Sequence, residues 1–122
     1  MRVLIVESKR ERAELWQRHL NRAGADVDVV SGQEGAAKAL LTMPYDVIVM
    51  NVLLAEGSAV AVADLAAYRR PEARVIFVSG SRFFSDGTIF ELCSNAAALV
   101  QPDVPPQDLV ALVEHHGQPR DG

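Results

Sequence analysis

Tyr45-Asp46-Val47-Ile48-Val49-Met50-Asn51 contains four consecutive apolar residues, three of them β-branched, closed by a polar side chain. Such a run reads as a strand, and because no position within it alternates to a polar type, both of its faces need cover. Val3-Leu4-Ile5-Val6 and Val75-Ile76-Phe77-Val78 have the same character. Fully apolar strands belong to parallel sheets flanked by helices on each side. Two further runs lie outside these three: Val27 with Val29-Val30, and Ala98-Leu99-Val100. The alternation of Asp26-Val27-Asp28-Val29 suits an edge strand with one wet face.

Between the runs, residues 9–23, 32–42, 58–69, 85–94 and 105–116 have helical character, each stretch long enough to return the chain for a parallel pairing. Ser31-Gly32-Gln33-Glu34 has the spacing of a capping box, Gly24 stands where a helix end wants a left-handed residue, and Pro105-Pro106 opens the last helix. Five β/α units with right-handed crossovers predict an α/β, flavodoxin-like doubly wound sandwich. Its three layers hold a five-stranded parallel sheet of order 2-1-3-4-5. The domain is expected over residues 1–117, with a flexible tail at 118–122. Ligands of such folds sit beyond the carboxyl ends of the strands, where strand order reverses.

The 122 residues suffice for one core. At 49% hydrophobic and 23% charged, the chain lies far from the disordered class. Twelve basic against sixteen acidic residues give a net charge of −4, which opposes a nucleic-acid backbone and gives no reason for an anionic membrane partner. The N-terminus lacks a signal-peptide pattern and no apolar run approaches the roughly 20 residues of a membrane span, so a cytoplasmic location is expected. Cys93 is the single cysteine, with no second thiol for a disulfide, redox pair or zinc site, and reads as a small buried hydrophobe.

The strand ends carry Glu7-Ser8, Asn51, Ser79-Gly80-Ser81 and Gln101-Pro102. Their order and spacing resemble the receiver domain of bacterial two-component response regulators, over nearly the whole chain. In that family an acidic pair after the first strand and an aspartate after the third hold Mg²⁺, and the aspartate accepts a phosphoryl group from a histidine kinase. A Ser or Thr after the fourth strand and a Lys before a Pro after the fifth bind the phosphate. The resemblance places the acidic pair on Glu7 and Ser8, the acceptor on Asn51, the hydroxyl on Ser79 and the lysine on Gln101. It also implies a cis bond before Pro102.

Most of these positions depart from the pattern, with chemical consequences. The amide of Asn51 cannot attack phosphorus as a carboxylate does. Glu7 as sole carboxylate beside Ser8 and Asn51 makes a poor Mg²⁺ site, so neither metal nor another cofactor is expected. Gln101 lacks the ammonium that would neutralise a bound phosphate. Silencing an active site by design would change the acceptor alone, whereas here Ser8 and Gln101 have changed as well, which favours natural loss. The expectation is a neutral pocket that stays folded without metal, its polar side chains bonding one another or water. Ala98 stands where the family commonly has a switching aromatic residue. Val52-Leu53-Leu54-Ala55-Glu56-Gly57-Ser58 resembles the family's loop after the acceptor, with Ala55 for Pro and Gly57 keeping the turn.

Other chemistries fare worse. His19, His115 and His116 lie inside or at the ends of helices, away from Ser79 and Ser81, and Glu7-Ser8-Lys9-Arg10-Glu11-Arg12 offers no glycine cradle for a nucleotide or flavin phosphate. The reading is therefore a non-enzymatic, pseudo-receiver signalling domain acting through a protein partner or self-association, with the fourth helix, fifth strand and fifth helix as the surface the resemblance implies. The alternatives are an ordinary receiver captured as an inactivated variant, and a small-molecule sensor using the neutral pocket. Phe83-Phe84 either anchor a partner contact or are covered by helix and loop. The basic residues of the first helix, Arg12 among them, read as a solvated face with Glu14 paired to Arg18, and Trp16 reads as core.

Overall fold

A computed structural model describes residues 1–80 and 87–118. The elements run β1 (Arg2–Val6), α1 (Arg10–Arg22), β2 (Asp26–Val30), α2 (Gln33–Thr42), β3 (Val47–Asn51), α3 (Ala59–Arg69), β4 (Arg74–Val78), α4 (Thr88–Leu92), β5 (Ala96–Val100) and α5 (Pro106–His116). All strand pairs are parallel and the sheet order is β2-β1-β3-β4-β5, as the strand reading predicted. Phe83, Phe84 and residues 119–122 lie outside the described residues.

The three fully apolar runs form the sheet centre, and their buried side chains divide by parity between two layers. Val3, Ile5, Val47, Val49, Ile76 and Val78 face Ala13, Trp16 and Leu20 of α1 and Leu109 and Val113 of α5. Leu4, Val6, Ile48, Met50, Val75 and Phe77 face α2, α3 and α4 through Leu40, Val62, Ala63, Ala66 and Ile89. Alternate side chains of a strand point to opposite faces, so a run with no polar member fills both layers. Trp16 and Cys93 are buried, as read from sequence.

The edge strand β2 is wetter on its apolar parity than its alternation implied. Val29 is exposed, whereas Asp28 is half-buried because the Tyr45 hydroxyl donates to its Oδ2 at 2.7 Å. Here a hydrogen bond from the segment entering β3 outweighs the pattern.

Several local expectations are corrected. The Gln101–Pro102 bond is trans, like every peptide bond among the described residues. Trans is the intrinsic preference of X–Pro by about 0.5–1 kcal/mol, and the exposed Gln101 follows it. The capping box does not form: Gly32 is the N-cap of α2, and the Glu34 N–H donates instead to Glu56 Oε2 at 3.1 Å. Glu14 pairs with Arg10, not Arg18. The fourth helix spans only Thr88–Leu92, because Gly87 takes a φ of +89° and Cys93 is extended. Asn95 then donates to the Ala63 carbonyl at 3.0 Å, fixing the entry to β5. Gly24 and Pro106 end and start their helices as read.

Candidate functional site

The register Val6↔Met50 of β1 and β3 sets the next residues, Glu7 and Asn51, side by side at the carboxyl edge of the sheet. Asn51 and Ser79 are buried there, and Glu7 is only 2% exposed. The Asn51 amide bridges two segments. Its Nδ2 donates to Glu7 Oε1 at 3.0 Å, and its Oδ1 accepts the Leu53 N–H at 2.9 Å. The side chain thus tucks the loop after β3 against β1, a task that uses both ends of an amide.

Glu7 is the charged centre of the cluster. Oε1 also accepts from Arg12 Nη1 at 3.0 Å, and Oε2 accepts the Lys9 N–H at 3.2 Å. A carboxylate taken out of water needs both a counter-charge and full hydrogen bonding, and Arg12 together with Asn51 and the Lys9 backbone supplies both. The pocket is therefore charge-balanced through an ion pair, a partner for Glu7 that the sequence reading did not supply. Arg12 is the functional group that sequence reading passed over: it lies five residues beyond Glu7, a spacing that becomes contact only because α1 starts at Arg10 directly above the end of β1.

Ser8 joins three loops. Its hydroxyl donates to the Ser31 carbonyl at 2.8 Å and accepts the Ala55 N–H at 2.8 Å. A second loop contact lies beside it. The Gln33 N–H donates to the Glu56 carbonyl at 3.2 Å, and the Ser58 N–H donates to Gln33 Oε1 at 2.8 Å. Gly57, at φ +84°, makes this approach feasible, since a Cβ there would lie 2.2 Å from Gln33 Cβ. Ser58 then caps α3 by accepting the Ala61 N–H.

The phosphate-side positions are less concentrated. Ser79 is held by its N–H on the Val100 carbonyl at 2.9 Å. Gln101 is exposed, while Pro102 packs near Gly80, with Cγ 3.5 Å from where a Gly80 Cβ would stand. The structure thus brings together Glu7, Ser8 and Asn51, with Ser79 on the adjacent strand end. Among the described residues, no cluster of three or more His, Cys, Asp or Glu side chains could hold a metal ion. The donor set does not fit Mg²⁺: the one carboxylate is bonded through both oxygens, and its neighbours are an amide and an engaged hydroxyl.

No family model matches the chain, and no curated protein sequence matches it. Solved structures do. A CheY-like response regulator receiver domain protein from Methanospirillum hungatei is 19% identical with a TM-score of 0.86, over 95% of this chain and 92% of that one. The fold is that of response-regulator receiver domains. The N-terminal domain of a response regulator/sensory box/GGDEF protein from Carboxydothermus hydrogenoformans superposes at 0.80, with 24% identity over 96% and 94% of the two chains. A streptococcal redox sensor, described as evolved from two-component response regulators, reaches 0.82 at 22% identity, over 95% of this chain and 50% of that one. On the receiver fold, the Glu7–Asn51 pair stands at the carboxyl edge of β1 and β3, next to the reversal of strand order. No helix among the described residues is long and apolar enough to cross a membrane.

Proposed function

We propose that this chain is a receiver-type signalling domain of the two-component kind that does not take a phosphoryl group and works through contacts with a protein partner or a second copy of itself. The observation that carries the reading is the Asn51–Glu7 hydrogen bond. Where an acceptor would hold a carboxylate free for metal and phosphorus, both ends of the Asn51 amide are committed, to Glu7 and to the Leu53 N–H. An amide so engaged is neither a nucleophile nor an anionic ligand. The exposed Gln101 adds no cation for a phosphate. The streptococcal redox sensor, described as evolved from two-component response regulators, supports the idea that such a scaffold can take on other duties.

The surface reading follows from the receiver resemblance and the face made by α4, β5 and α5, where Phe90 and Leu92 are exposed. Exposed apolar side chains on that face give a partner something to bury. The test is incubation with acetyl phosphate and Mg²⁺ followed by intact mass measurement. No mass gain is expected; a stable gain of one phosphoryl group that disappears in Asn51→Ala overturns the reading.

A further inference from the structure

We propose that Arg12 is a built-in cation standing in the divalent ion's place beside Glu7, so that the strand-end site is held in one charge-balanced state and excludes a metal. The inference rests on the receiver-type reading of these strand ends and concerns how the site is regulated: it has no bound and unbound forms to switch between. Arg12 Nη1 lies 3.0 Å from Glu7 Oε1, with the two side chains 22% and 1% exposed. The same oxygen takes the Asn51 amide, and the other takes the Lys9 N–H. An entering cation would have to displace the guanidinium from the only buried carboxylate among the described residues. A guanidinium stays protonated at any physiological pH and, being covalently tethered, does not dissociate with ion concentration. Arg10, two residues earlier in the same first turn of α1, is spent on the exposed Glu14 and does not share this duty.

The experiment compares thermal unfolding of the wild-type chain, Arg12→Ala and Arg12→Ala/Glu7→Gln, each with and without millimolar Mg²⁺. Trp16, the chain's single tryptophan and one turn along α1 from Arg12, gives a second readout by fluorescence. The wild-type midpoint should not move with Mg²⁺. Arg12→Ala should melt about 5 °C or more lower and recover part of that loss when Mg²⁺ is added. The double variant should show no Mg²⁺ response, because the carboxylate that would recruit the ion is gone. A Mg²⁺ shift in the wild type, an Arg12→Ala midpoint equal to wild type, or a Mg²⁺ shift that survives Glu7→Gln overturns the proposal. If Arg12→Ala folds in neither buffer, Asn51→Asp with Arg12 intact decides: stabilisation of that variant by Mg²⁺ overturns the proposal, and indifference supports it. Phosphorylation of the wild type by acetyl phosphate would instead overturn the reading of Asn51 and leaves the Mg²⁺ comparison of Arg12 and Glu7 variants as an independent result.

Discussion

Ser8 Oγ donates its proton to the Ser31 carbonyl at 2.8 Å, tying the loop after β1 to the loop after β2. The same oxygen accepts the Ala55 N–H, so one hydroxyl serves both as donor and as acceptor. A carboxylate cannot do this. Ionised, it would take the Ala55 N–H and turn its other lone pairs on the Ser31 carbonyl, next to the charge of Glu7. Ser8→Ala should cost about 0.5–1.5 kcal/mol, the usual worth of a bridging hydroxyl. Ser8→Asp should cost more at neutral pH, with the gap closing as acid protonates the new carboxyl and restores a donor. Urea denaturation at neutral and mildly acidic pH measures both; an Asp variant as stable as Ala at neutral pH would remove the donor argument.

The Gly57 turn should tolerate no side chain. Both Gly57 and Gly24 have positive φ, but a Cβ at 57 meets Gln33 whereas one at 24 meets nothing within 4 Å. Gly24→Ala should therefore lose only the left-handed penalty, about 1 kcal/mol. Gly57→Ala should lose clearly more and release the Ser58 N–H from Gln33. Equal losses in chemical denaturation would show that the Gln33 contact yields freely.

Glu56 caps a helix it does not belong to. Its carboxylate sits at the N-terminus of α2, accepting the Glu34 N–H where the helix dipole favours negative charge. Glu56→Ala should cost about 1 kcal/mol, within the range of ordinary N-cap losses, and Glu56→Gln should cost less. Amide exchange at Glu34 should quicken in the Ala variant, and unchanged exchange would place the stabilisation elsewhere.

Tyr45 should make stability fall at alkaline pH. Burial is the chief reason its phenol holds its proton well beyond the ordinary range, with the Asp28 hydrogen bond and charge adding to it. The raised folded value means that this contribution is intact below the unfolded phenol value of about 10 and is lost as pH rises above it. The stability gap between wild type and Tyr45→Phe should narrow beyond that point. In a Tyr68→Phe background Tyr45 is the only phenol, so near-ultraviolet absorbance follows its ionisation directly. A gap that stays constant with pH would show that the proton is not retained.

The sheet was legible in the sequence because its signal is local. Val47–Met50 and its two counterparts announce two-sided burial by composition alone, and chirality then leaves few orders for five parallel strands. The strand-end residues were legible for the same reason, each standing directly after such a run. What escaped depends on which loop meets which. Nothing in Ser31-Gly32-Gln33-Glu34 says that Glu56, two elements away, will cap α2 before Ser31 can. Arg12 looked like one of several basic residues on a wet helix, and only the seating of α1 over the end of β1 selects it for Glu7 while Arg10 goes to Glu14. The bond before Pro102 was inferred from resemblance, and the departure of Gln101 from the pattern was the sign that its geometry need not follow.

β5 begins Ala96-Ala97-Ala98, three consecutive methyl groups in a strand half-buried along its length. Alanine has no χ angle to rotate, so a change at Ser79 finds no rotor at 98 through which to reach the outer face. On the function proposed above, a signal from this surface would travel by displacement of backbone or by a partner's choice of it, as in a mechanism whose dial has been removed and whose housing still fits the mount.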